Sequence, residues 1–122
     1  MNTYSRKIPE DLSCGITVFM RVLGAKWKPC IVDFISRGYQ RPSELHKQIP
    51  EATPRVIHMQ LSELEEYGVV SKHVHEGFPL RVEYSLTEMG RSVLSIIASM
   101  DKWGAAHAPH VQQVHARMTA AV

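Results

Sequence analysis

The hydrophobic period of this chain switches from helical to alternating just past its middle and back again after Thr87, and that switch narrows the folds open to it. Up to Tyr67 the apolar residues recur at three- and four-residue steps, which places one apolar stripe on an α-helix. From Val70 to His75 and from Leu80 to Leu86 they alternate. Leu80, Val82, Tyr84 and Leu86 fall on one side of a strand, and Arg81, Glu83 and Ser85 fall on the other. Glu76, Gly77, Phe78 and Pro79 separate the two runs with turn residues, so the segment reads as a β-hairpin. After Thr87 the helical period returns.

The helices can be placed by their stripes and stops. Ile16, Val18, Phe19, Val22 and Leu23 mark a first helix that Gly24 ends. A second is expected from about Lys26 to Arg37, with Pro29 in its first turn, Gly38 as its stop, and Trp27 and Cys30 among its core residues. A short third helix spans Ser43 to Gln48, with Leu45 and Ile49 turned inward and Pro50 closing it. The fourth opens on Thr53 as N-cap with Pro54 behind it, and runs to Tyr67 before Gly68. The last starts at Thr87, carries Glu88 in its first turn, and presents Val93, Ile96, Ile97, Met100 and Trp103 as one broad stripe. Pro109 is expected to end it.

Two helices joined by a tight turn and followed by a hairpin make a mainly α fold with a small β-hairpin wing, the winged helix-turn-helix. The expected division is a flexible arm over 1–11, a winged domain over 12–108 with dimerisation helices at both ends, and a tail over 109–122. In such a fold the fourth helix here is the one that enters the major groove. With Ile57, Leu61 and Leu64 inward, a step of about 100° per residue turns Arg55, Met59 and Ser62 outward, with His58 on the flank. Arg81 is the best wing candidate, with Lys72 and His75 on the neighbouring strand as helpers; the alternative is a surface ion pair of Arg81 with Glu83 or Glu76. The candidate DNA-binding set is Ser43, Thr53, Arg55, His58, Met59, Ser62, Lys72, His75 and Arg81.

Charge sets the style of binding. From Arg37 to Arg81 the cations Arg37, Arg41, Lys47, Arg55, Lys72 and Arg81 are matched by Glu44, Glu51, Glu63, Glu65, Glu66 and Glu76. Affinity for DNA must therefore come from a few well-placed contacts and from two half-sites bound together. A winged module that binds protein in place of nucleic acid is the alternative; Met59 favours it, and Arg55 and Arg81 oppose it. The chain holds no glycine-rich phosphate loop, nucleophile elbow, HExxH or CxxC motif, so no enzymatic activity and no cofactor is expected. No apolar run approaches the roughly 18 residues of a membrane span, and no secretory signal is evident at the polar N-terminus. Two cysteines are too few for a disulfide framework, which fits a reducing, cytoplasmic setting.

Several separated blocks carry a likeness to a known family: Cys14, then Gly24-Ala25-Lys26-Trp27, then Arg41-Pro42-Ser43-Glu44-Leu45, then the run from Pro79 to Gly90. In their order and spacing the chain, from about Cys14 to Trp103, resembles the HxlR-type transcriptional regulators, bacterial relatives of the MarR winged-helix group. The resemblance implies a DNA-binding repressor or activator that is dimeric through its N- and C-terminal helices. On those two helices the apolar residues Ile16, Phe19, Val93, Ile97, Met100 and Trp103 are the expected dimer interface, the last helix carrying more apolar surface than one small core needs. Cys14 reads either as a small buried or half-buried packing thiol or, as some relatives with a cysteine at this position imply, as a redox or electrophile sensor; the resemblance also leaves room for a small-molecule effector. The chain departs from the family pattern at Gly15, Ala25 and Pro42, and at His58, Met59 and Gln60, so its operator cannot be borrowed from relatives. His107, His110 and His115 lack an accompanying cysteine or carboxylate cluster, and no metal site is expected there.

Overall fold

Prolines and short polar side chains set where several of the helices begin in the computed structural model, which describes residues 11–121. Those residues form two units, one running to Arg91 and one from Ser92 onward. Of the expected arm over 1–11, all but Asp11 lies outside the described residues.

The first unit holds α1 (Gly15–Leu23), α2 (Lys28–Ser36), α3 (Pro42–Gln48), α4 (Pro54–Glu66), β1 (Val70–His75), β2 (Arg81–Leu86) and all but the last residue of α5 (Glu88–Ser92). This is a winged helix-turn-helix. Pro42 and Pro54 stand in the first turns of α3 and α4, where a missing N–H costs nothing. Glu44 reaches back so that its Oε1 accepts the backbone N–H groups of Arg41 (3.0 Å) and Gln40 (3.2 Å). Thr53 caps α4, its hydroxyl oxygen accepting the Val56 N–H at 3.2 Å. The core between α2, α3, α4 and the start of the wing is closed by Ile31, Val32, Leu45, Ile57, Leu61, Leu64 and Val69, all fully buried.

The hairpin pairs antiparallel, with Val70 opposite Leu86, Lys72 opposite Tyr84, His73 opposite Glu83 and His75 opposite Arg81. Gly77, at φ +126°, supplies the turn conformation that a side chain would resist. The wing is fastened at its base: the Tyr84 N–H donates to the Gln40 carbonyl (2.8 Å), and the Thr87 N–H to that of Val69 (3.1 Å).

Three expectations about helices need correction. In α2 the buried positions are Lys28, Ile31, Val32 and Ile35, so Cys30 is exposed and Trp27 half-buried. The reason is periodicity: steps of three and four from Ile31 lead to Lys28 and Ile35, and Cys30 falls off that stripe. The last helix is two: Thr87 caps α5, its hydroxyl accepting the Gly90 N–H at 3.1 Å, and α6 (Leu94–Ala120) starts its own ladder from the Val93 carbonyl to the Ile97 N–H. Pro109 does not end α6, which continues through it to Ala120. Alanines at 105, 106 and 108 favour the helix on the N-terminal side of the proline. Ala105, whose carbonyl loses its partner, is exposed, so water can satisfy it.

Candidate nucleic-acid interface

One face of α4 is buried and the other is bare. Ile57, Gln60, Leu61 and Leu64 point inward, while Arg55, His58, Met59 and Ser62 are exposed. The exposed positions begin in the first turn, where the helix dipole favours negative charge, so Arg55 adds its own charge to an end suited to an anion. Thr53 is exposed, but its hydroxyl is already engaged in the cap.

Beside α4 lies a cleft of about 650 Å³ between the start of α3 and the wing. Arg41 and Ser43 line it from α3, His58 from α4, and His75 and Arg81 from the wing. Glu83, next in sequence to the cleft-lining Val82, engages two of these side chains. His75 Nε2 lies 2.6 Å from Glu83 Oε1, and Arg41 Nε lies 3.5 Å from Oε2. The hydrogen bond from His75 is the main cause that keeps the Glu83 carboxyl below the usual carboxylate range. Burial opposes the shift, and the charges of His75 and Arg81 and the hydrogen bond from Arg41 add to it.

The register brings some candidates together and separates another. Residues paired across the ladder share a face, so Ser71, His73 and His75 stand with Arg81, Glu83 and Ser85. Lys72 pairs with buried Tyr84 and belongs to the opposite face, away from Arg81 and His75. Arg41 and His73 escaped sequence reasoning, which weighed Glu83 as an ion-pair partner of Arg81 and not of Arg41 or His75. For His73 the signal was present, since period-two counting from His75 reaches it; Arg41 is brought in by the fold alone.

Elsewhere, Cys14 is exposed at the N-cap of α1. The Thr17 backbone N–H, followed by the Thr17 hydroxyl and the Ile16 N–H, lowers its thiol pKa from the ordinary value, with burial opposing slightly. Of the expected dimer residues, Ile16, Met100 and Trp103 are exposed, Phe19 and Val93 are half-buried, and Ile97 is buried. Among the described residues no group of three or more His, Cys, Asp or Glu side chains could hold a metal ion, and no helix is long and apolar enough to cross a membrane.

Comparison with known proteins decides the family. The model of the HxlR-like helix-turn-helix matches residues 22–112. The chain belongs to the HxlR-like helix-turn-helix family. It is 40% identical over 99 residues to the HTH-type transcriptional regulator YkvN of Bacillus subtilis (strain 168), covering 81% of this chain and 84% of that protein. Its fold is similar to that of the redox regulator HypR in its reduced form, with a TM-score of 0.76 and 33% identity over 82% of this chain and 99% of that one. It is also similar to the HTH-type regulator ytcD, with a TM-score of 0.74 and 36% identity over 79% and 98% of the two chains. This HxlR-like protein is therefore a DNA-binding transcriptional regulator, and the bare face of α4 and the wing cleft are its candidate nucleic-acid surface.

Proposed function

We propose that this HxlR-like regulator is a cytoplasmic repressor that binds a palindromic operator as a homodimer. The observation that carries the proposal is the shared face: exposed Arg55, His58, Met59 and Ser62 on α4, continued through His58 into the cleft that Arg81 lines. In that arrangement Arg55 and His58, nearest the N-terminal end of α4, reach base edges, and Arg81 reaches phosphate or the minor groove. Ser43, at the second position of α3, supplies a phosphate contact. Lys72, on the far face of the wing, contributes to the general field alone.

The dimer is proposed from exposed apolar surface. Ile16 is 77% exposed on α1 and Trp103 63% exposed on α6, more than isolated surface residues need. Ile96, Met100, Trp103, Val111 and Met118 are exposed along α6, with half-buried Val114 among them. Their steps place them on one side of the helix. Selection of duplexes from a random library tests the operator, with sedimentation of the protein alone testing the dimer. A two-fold repeated site and twice the chain mass are expected; a single unrepeated half-site bound by a monomer would contradict both. Transcription of the gene beside the selected site should rise when the regulator is removed, and a fall would make it an activator.

A second reading is supported by one group. HypR is a redox regulator, and Cys14 is an exposed thiol whose thiolate is favoured by the Thr17 and Ile16 N–H groups. Diamide should change operator affinity in the wild type and in Cys30→Ser, and should leave Cys14→Ser unchanged. The Cys30 control is needed because that thiol too is exposed.

A further inference from the structure

The tip of the wing is apolar, and it stands at the rim of a cleft lined by two arginines. Phe78 is wholly exposed (102%), and Leu80 is 66% exposed two residues on. Below them Val74, itself exposed, pairs with Val82 across the ladder. A single apolar side chain in water calls for no explanation, but three gathered at one end of a hairpin do. Phe78 and Leu80 line the same cleft as Arg41, His58, His75 and Arg81.

That combination fits one surface well. The minor groove of duplex DNA has two phosphate rims that attract cations and a floor of stacked bases. Proteins that enter it often insert Phe, Leu or Pro side chains between base steps, unstacking them and kinking the duplex. Arginine beside such a wedge is drawn to the strong negative potential of a narrow groove. Arg81 is exposed and directly follows Leu80. Glu76 also lines the cleft and disfavours phosphate, and Glu83 engages Arg41 and His75, so Arg81 is the main attraction for phosphate beside the wedge.

We propose that Phe78, with Leu80 beside it, is an apolar wedge that enters the minor groove and opens a base step next to the sequence read by α4. The wedge rests on the reading of α4 and the wing as the DNA-binding face. It adds a second source of specificity: flexible pyrimidine–purine steps open at lower cost than stiff A-tracts, so the wing selects for deformability where it makes no base-edge hydrogen bond.

The test uses the full chain and the duplex it selects from a random library, with 2-aminopurine placed in turn at each step flanking a half-site. Binding of wild type should raise the fluorescence at one step per half-site. Phe78→Ala should abolish that rise and weaken binding about tenfold, the scale of one lost ring–base contact. The salt dependence should stay as in the wild type, because no phosphate contact is lost. Phe78→Leu should keep part of the signal. Because Phe78 is fully exposed, these substitutions leave the fold intact, and circular dichroism checks that. No fluorescence rise at any step with the wild type, or an unchanged rise with Phe78→Ala, would overturn the wedge. Either result, as in the case of a tip that docks protein, would leave the α4 reading standing, since Arg55→Ala tests that separately on the same duplexes. Failure of the wild type to select any duplex would overturn both.

Discussion

Lys28 is 4% exposed in the first turn of α2, where the helix dipole disfavours a cation, and its ammonium lies 3.3 Å from the half-exposed Glu63. Removing the carboxylate leaves a buried charge without its partner. Glu63→Gln should therefore destabilise by about 1–3 kcal/mol in urea unfolding, while Lys28→Met, which removes the buried charge itself, should be near neutral. Gln60 is a parallel case. Its Oε1 is buried with no hydrogen-bond partner among the described residues, so Gln60→Met should hold or gain stability by about 1 kcal/mol. Neither burial was legible in the sequence, where a Lys and a Gln count as solvent-facing until the helix axes are known. At the cleft, Glu83 sets a negative charge among His75, Arg41 and Arg81. Glu83→Gln should tighten non-specific DNA binding about two- to fivefold at low salt, the scale of one exposed ion pair. Because the Glu83 carboxyl titrates lower in the folded chain than its ordinary 4.5, its hold on the wing is complete above that pH. It is lost as pH falls through the lower folded value, and amide exchange of the β2 backbone should follow the same course.

Among the elements, α4 was legible almost to the residue because several signals agreed: the Thr53 cap, Pro54, the Ile57–Leu61–Leu64 stripe and the Gly68 stop. Thr53→Ala should cost about 1 kcal/mol of stability through the lost cap and change operator specificity little, which separates its structural work from base reading. The face of α2 was misjudged because Trp27 and Cys30 are apolar by type, whereas the core is chosen by the axis through Ile31, Val32 and Ile35. The end of α6 was misjudged because one proline outweighed the helix formers around it. An interior proline costs about 3 kcal/mol, so Pro109→Ala should raise the helical content and slow amide exchange near residue 109. The wing shows both sides of the matter. Alternation from Leu80 to Leu86 gave β2 and its buried Tyr84, but the cross-strand partners of β1, and with them the separation of Lys72 from Arg81, depend on a register that a single sequence does not print.

For the whole molecule, the proposed two-fold assembly sets the recognition helices about 34 Å apart, one turn of DNA, so half-sites should repeat at 10–10.5 base pairs or a multiple. Trp103→Glu, on the exposed stripe of α6, should shift sedimentation toward the monomer and weaken binding to full sites far more than to half-sites. Arg81→Ala should weaken binding to every sequence alike and reduce the salt slope by about one. That the chain is a winged DNA-binding regulator was legible from the alternating stretch set between helical ones and the blocks around it. Which bases it reads was not, since His58, Met59 and Gln60 depart from the family and Gln60 is turned inward. The central claim is that the exposed N-terminal face of α4 reads base edges. It is tested most directly by titrating wild type and Arg55→Ala against the selected duplex and every single-base variant of one half-site. Wild type should discriminate at each read position by about 1–3 kcal/mol, and Arg55→Ala should lose that discrimination at one position and keep it at the others. An Arg55→Ala protein that binds all variants more weakly by one common factor would contradict the claim, and would reduce Arg55 to a phosphate contact.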